Sequence, residues 1–181
     1  MTREDALRLL SDKLQNKNLF KHSLAVEACL RTLAHRLGEN EDLWAQTGLL
    51  HDVDYETTGA DPVRHGLEGA ELLANMGFED QLVRAVKVHS GHLPAQSKLD
   101  WALFATDPLT GLIVASALMH PEKKLSALDV DFILRRFKEK RFAAGANREQ
   151  IETAKNLGLE LDEFIRICLE GMQGISGELG L

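Results

Sequence analysis

The sequence predicts an all-α, single-domain helical bundle, and three observations carry that prediction. Apolar residues recur at helical intervals in one segment after another, caps and glycine stops bracket those segments, and no alternating run flanked by hairpin turns occurs. The 181 residues amount to one domain by length, enough to bury roughly 70% of the unfolded chain's surface around a single core.

Each element has a local reason. In "REDALRLLSDKLQ", Leu7, Leu10 and Leu14 form one stripe. From Asn18, "LFKHSLAVEACLRTLAHRLG" puts Val26, Cys29, Leu30, Leu33 and Leu37 on one face and stops at Gly38. Asn40 offers a cap, with Glu41 and Asp42 in the first turn where the helix dipole favours them, and that helix runs into His51. Asp61 and Pro62 are expected to open a helix through "PVRHGLEGAELLANMGF" that closes at Gly77, followed by "EDQLVRAVKVHSGH". The next helix, Trp101 to Met119, ends before Pro121. Ser126 or Asp129 starts "DVDFILRRFKEKRF", Asn147 caps "REQIETAKNLG", "LDEFIRICLEGM" closes the fold, and the tail "GISGELGL" is expected to fray.

Composition narrows the function. A formal charge of −7 argues against an electrostatic binder of nucleic-acid polymers and against a polybasic membrane binder. Cys29 and Cys168 are far apart and form no CxxC pair, which reads as two buried thiols of a reducing compartment. The start "MTREDALRLL" has no apolar stretch of signal-peptide length, so a cytoplasmic protein is expected. Trp101 to Met119 approaches bilayer-spanning length, but Asp107-Pro108 interrupts it, and a buried helix with a functional carboxylate is the better reading.

The ionisable residues on apolar faces point further. His22 shares a stripe with Val26, Cys29 and Leu33, and His51 follows Trp44 and Thr47 at the same intervals with Asp52 next to it. His65 is expected to share a helix face with Gly69, Leu72 and Met76. His89 follows Leu82 and Val86, and Asp107 lies with Leu103, Gly111, Val114 and Leu118. A single such histidine is usually a hydrogen-bonded core residue. Asp52 and Asp107, however, sit on faces that offer no Lys or Arg, and buried carboxylates must be paired or bind metal. Imidazole with carboxylate suits Mn, Fe, Co and Zn. In "GLLHDVDYE" a cation would stabilise the His51-Asp52 pair, leaving Asp54, Tyr55 and Glu56 as supports, substrate contacts or a solvated turn; Glu56 is expected to be solvated or a support.

The ordered set His22, His51-Asp52, His65, His89, Asp107 resembles the HD superfamily of metal-dependent phosphohydrolases, and its dinuclear H…HD…H…H…D pattern in particular. "GLLHDVDYE" and "HGLEGAELL" are similar to small HDIG-type proteins of that group, with core motifs over residues 19 to 119 and the helices of 126 to 173 packed on the same domain. The resemblance implies that these six residues hold divalent ions, two of them by the dinuclear pattern, drawn from Fe, Mn, Zn, Co or Mg. Asp52 would bridge, His22, His51 and Asp107 would hold one ion, and His65 with His89 the other; His92 is the alternative to His89. His51 and Asp52 would then serve catalysis, in which a metal-bridging hydroxide attacks the phosphorus of a nucleotide-like small molecule.

The pattern also departs from the family. Val53-Asp54 replaces Ile-Gly after the HD pair, Tyr55 stands where the cyclic-dinucleotide phosphodiesterases carry lysine, and no Gly-Tyr-Pro signature occurs. Phosphate contacts are therefore sought at Tyr55 and in "RRFKEKRFAAGANR", at Lys138, Lys140 and Arg148, against the plainer reading of a solvated helix face. Two other functions fit the same residues: a mixed-valence di-iron oxygenase, and a non-catalytic metal-stabilised regulatory module.

Overall fold

Local caps and glycine stops set the helix ends. The computed structural model describes residues 2–59 and 61–181, with helices and turns and no strand among the described residues. The first helices are α1 (Arg3–Lys13), α2 (Lys17–Leu37), α3 (Glu41–Leu50) and the one-turn α4 (Tyr55–Thr58). After them come α5 (Leu67–Asn75), α6 (Asp80–His89) and α7 (Lys98–Met119). The last are α8 (Val130–Lys138), α9 (Arg148–Ile151), α10 (Leu161–Gly174) and α11 (Ser176–Leu179). Asn16 caps α2 through Asn18 and Leu19, Asn40 caps α3, and a Ser97–Asp100 capping box opens α7. Gly38 ends α2 with φ 69°, a left-handed conformation that costs glycine little.

α2 is the central helix, packed against α3, α7 and α10. One continuous apolar core joins Leu10 of α1, Leu30 and Leu33 of α2, Leu103 and Leu112 of α7 and Phe164 of α10, all fully buried. By length and hydropathy α7 could cross a membrane, but its apolar residues Leu99, Leu103, Leu109, Leu112 and Ile113 are spent on this core. Pro108 inside α7 has no N–H for the carbonyl of Phe104 one turn earlier, and the Gln150 side chain donates to that carbonyl instead at 2.8 Å. Cys29 and Cys168 are buried free thiols, as expected, with Cys29 Sγ donating to the Cys168 carbonyl.

Several segments depart from the sequence expectation. α5 begins at Leu67 rather than Pro62, so His65 lies in the preceding turn and not on a helix face. Gly66 explains the delay: its φ is 77°, and a Cβ there would sit 2.0 Å from Ser90 Oγ. Helix α8 stops at Lys138, four residues short of Phe142. The tail does not fray. It forms α11, with Leu179 buried and its carbonyl accepting from Lys21 Nζ at 2.7 Å. Glu56 stays exposed, as the solvated reading expects, and its carboxylate also accepts from the backbone N–H groups of Gln15 and Asn16, at 2.6 and 3.0 Å, which ties α4 to the α1–α2 corner.

Candidate metal centre

Five segments converge on the six residues. His22 comes from α2, His51 and Asp52 from the end of α3, His65 from the turn before α5, His89 from the last turn of α6, and Asp107 from the middle of α7. The meeting of α2 and α3 depends on Gly48, where a Cβ would lie 2.8 Å from the backbone of Val26 and Glu27. That close approach brings the His22 and His51 ring centroids to 5.1 Å.

All four imidazoles are fixed through Nδ1. His51 Nδ1 faces the Gly48 carbonyl at 2.8 Å, His89 Nδ1 the Val86 carbonyl at 2.5 Å, and His65 Nδ1 the Asp54 carboxylate at 3.1 Å. His22 Nδ1 lies 3.1 Å from the Thr110 hydroxyl, which itself donates to the Asp107 carbonyl at 2.9 Å. Each contact places the proton on Nδ1 and leaves Nε2 as the ligand atom, the arrangement that supporting contacts give to metal-binding histidines.

The Nε2 atoms then divide between the two oxygens of Asp52. Oδ2 lies 3.3 Å from His51 and 3.7 Å from His22, whereas Oδ1 lies 3.3 Å from His89 and 3.5 Å from His65. Asp107 Oδ1 completes the first side, 3.1 Å from His22 and 3.9 Å from His51. Ligand atoms that share one ion at bonds of about 2.1 Å stand about 3.0–3.4 Å apart, close to the separations within each half. Buried His51 Nε2 has no hydrogen-bond partner, which is costly unless a ligand takes its lone pair. Two overlapping triads, His22-His51-Asp107 and His51-Asp52-His89, each have donor atoms within 4.8 Å of one another. This His/Asp cluster is compatible with a divalent metal.

Several residues find other roles. His92 Nε2 contacts the His65 backbone carbonyl at 2.9 Å, so it is His89 whose ring reaches Asp52. Asp54, left open between support and solvated turn, is buried and accepts from the Gly66 and Gly69 N–H groups, both at 2.8 Å, while holding His65. The spacing of the two glycines in "HGLEG" was its sequence signal. Thr110, one turn after Asp107, was missed because a buried threonine on an apolar helix face looks like core. The Tyr55 ring meets His65 edge-on at 5.0 Å and is partly exposed.

Arg148 requires a correction. Its guanidinium donates to the carbonyls of Phe137, Phe142, Ala143 and Ala146 at 2.5–3.2 Å. A longer contact reaches the Glu139 carbonyl at 3.4 Å, so all five donors are committed to the end of α8 and the loop after it, which otherwise holds only turn hydrogen bonds such as Phe142 N–H to Glu139 and Ala146 N–H to Ala143, and none is left for a phosphate. Lys138 and Lys140 border a separate hollow of about 800 Å³ beside that loop, which none of the six clustered residues lines.

Charge couples the cluster to pH. Burial alone would lower the pKa of His51, but Asp52 and then Asp107 outweigh it and raise it to about 9. Burial likewise opposes the ionisation of Asp52, yet the surrounding imidazoles hold its carboxyl well below the usual range. A raised histidine pKa contributes stability that is fully present below pH about 6.5 and is lost as the pH climbs through about 9. We expect the metal-free protein to lose thermal stability across that window. The metal-loaded protein is expected to keep it, because an imidazole ligated through Nε2 has already given up the proton that titrates there. Melting curves at stepped pH, with and without chelator, check both.

Several known proteins are similar to this chain. The chain is 33% identical over 99 residues to ribonuclease Y of Desulfotalea psychrophila, covering 52% of this chain and 18% of that protein. It is also 33% identical over 100 residues to ribonuclease Y of Geobacter sulfurreducens, again covering 18% of the relative. An uncharacterized protein of Methanocaldococcus jannaschii is 26% identical over 172 residues, covering 90% of this chain and 98% of the relative. The chain therefore corresponds to less than a fifth of the ribonucleases Y it resembles. No solved structure matches it. Residues 19–135, which hold all six clustered side chains, match the HD domain, and the chain belongs to the HD domain family.

Proposed function

We propose that the protein is a metal-dependent phosphohydrolase that uses two divalent ions to cleave a phosphate ester or anhydride of a nucleotide-like molecule. The observation that carries this reading is the division of the four histidines between the two oxygens of one buried carboxylate, Asp52. On this reading His22, His51 and Asp107 hold one ion, His65 and His89 the other, and Asp52 bridges. Divalent ions bound there would bring the pKa of a coordinated water toward neutrality and draw charge from a phosphoryl group. The chain supplies the rest. Asp52 and Asp107 contribute two negative charges against four positive ones, so an acidic protein retains a local positive centre for an anionic substrate.

Access favours one side. The His51 and His89 side chains are 0% and 2% exposed, whereas His22 and Asp107 are 24% and 28% exposed. A substrate therefore meets the centre along the His22–Asp107 edge, with the buried pair excluding water behind it. Tyr55 over His65 is the remaining candidate contact on the second half.

The ribonuclease Y relatives favour a second substrate class, short RNA, so the test covers both. The protein is purified without chelator and with air excluded, and metal content is measured for the wild type and for His65→Ala/His89→Ala. Phosphate release from nucleotides and cleavage of RNA oligonucleotides are assayed alongside. Two ions per chain falling to one, with hydrolysis lost, supports the reading. One ion in both proteins removes the dinuclear part of it. Oxygen uptake without hydrolysis would indicate a di-iron oxygenase, and absence of metal after reconstitution would sink both.

A further inference from the structure

A groove of about 440 Å³ opens beside His22, within the size range of small-molecule sites. Its two long walls are the face of α2 carrying Lys21, His22 and Ala25 and the face of α7 carrying Thr110, Val114 and Leu118. The groove adjoins the candidate metal centre through His22, the one clustered residue that lines it. His22 offers Nε2 to the Asp107–Asp52 side, and Thr110 holds its Nδ1. The third wall is the segment Leu179–Leu181, which the sequence marked for fraying. Buried Leu179 anchors it from one side, and Lys21 Nζ pins its backbone from the other at 2.7 Å.

Gly111 opens this space. A Cβ at that position would meet nothing within 4 Å, although the residue sits inside a long helix where glycine costs stability relative to alanine. Leu118, which lines the groove, is 52% exposed, an uncovered leucine beside the candidate metal centre.

We propose that this groove binds the organic part of the substrate, and that the face of that part it takes is apolar: a phosphate ester whose phosphoryl group lies at the His22–Asp107 edge and whose organic group lies between α2 and α7 against Leu179–Leu181. The inference rests on the hydrolase reading, and it names a specificity site made by Gly111, Val114, Leu118 and the C-terminal segment. The shared residue argues for a substrate as the occupant rather than a protein partner, since His22 both lines the groove and faces Asp107 and Asp52.

The test compares phenyl phosphate with methyl phosphate, using the Mn-loaded full chain and its Gly111→Leu and Leu118→Asn variants. Kinetics of both esters are measured together with calorimetric binding of phenyl phosphate. The wild type is expected to prefer the phenyl ester. Gly111→Leu, which fills the groove, lowers the phenyl-to-methyl ratio of kcat/KM at least tenfold through KM for the phenyl ester. Leu118→Asn, at an exposed position that leaves the core intact, lowers it in the same direction by a smaller factor. A ratio unchanged in both variants overturns the proposal, whether or not the absolute rates fall. If the wild type hydrolyses neither ester, calorimetry alone judges the groove, and the hydrolase reading is judged separately by the nucleotide and RNA assays. Phenyl phosphate binding that weakens tenfold in Gly111→Leu retains the groove as a ligand site, and absence of binding removes it.

Discussion

Asp52→Asn is expected to abolish metal binding at both halves of the cluster while leaving the helical fold intact. Among the described residues the carboxylate is the only one within reach of all four histidines, with Oδ2 toward His22 and His51 and Oδ1 toward His65 and His89. An amide of the same shape keeps the packing but removes the negative charge, and one of its two ends becomes a donor that faces a histidine pair. The loss in activity should exceed the roughly 10- to 100-fold that removing a supporting partner of a ligand costs. Asp107→Asn provides the contrast, because Asp107 faces His22 and His51 alone among the four. It should lower occupancy of the first half more than the second. Elemental analysis of the two variants beside the wild type, with circular dichroism to check the fold, reads the difference. A full metal complement in Asp52→Asn would remove Asp52 as the bridge.

Gly48→Ala is expected to destabilise the protein by about 1–3 kcal/mol, the usual cost of forcing extra volume into a packed interface, and to weaken metal binding with it. The new methyl would stand 2.8 Å from the backbone of Val26 and Glu27. Backbone atoms in the middle of α2 cannot swing aside as a side-chain end can. Helix α3 must therefore lift from α2, and His51, three residues further on, moves away from His22. Gly111→Ala is the control of opposite sign, since its Cβ meets nothing within 4 Å and alanine is favoured over glycine inside a helix by about 1 kcal/mol. Thermal unfolding of the metal-free proteins separates the two. A neutral Gly48→Ala would mean that the close helix contact is not what sets the site.

Much of the molecule was legible along the chain because its causes are local. Helix faces follow from the period of apolar residues, and the caps at Asn40, Asp129 and Asn147 follow from side chains that accept the first free N–H groups. The six clustered residues could be picked out by a mismatch of the same local kind, ionisable groups on faces otherwise meant for burial. Local reasoning failed where a distant partner decided. His65 lies outside the helix because Gly66 after it is left-handed and packs against Ser90, and Asp54, eleven residues before His65, captures the Gly66 and Gly69 N–H groups. Arg148 was read as a cation for phosphate, but the irregular loop after α8 needed donors for its carbonyls, and a guanidinium has five. The tail was read as frayed because its composition is glycine-rich, yet Leu179 finds a place in the core.

By itself, then, the sequence determined the all-α class, the order of the helices and the residue types offered to a metal, since each depends on period, caps and the chemistry of single side chains. Only the tertiary structure decided which oxygen of Asp52 faces which pair of histidines, that His89 rather than His92 turns inward, and that Thr110 and Asp54 hold His22 and His65. These are matters of direction between segments far apart in the chain. Direction is set by how closely two backbones approach, as at Gly48, and no pattern along one helix records where its neighbour will lie.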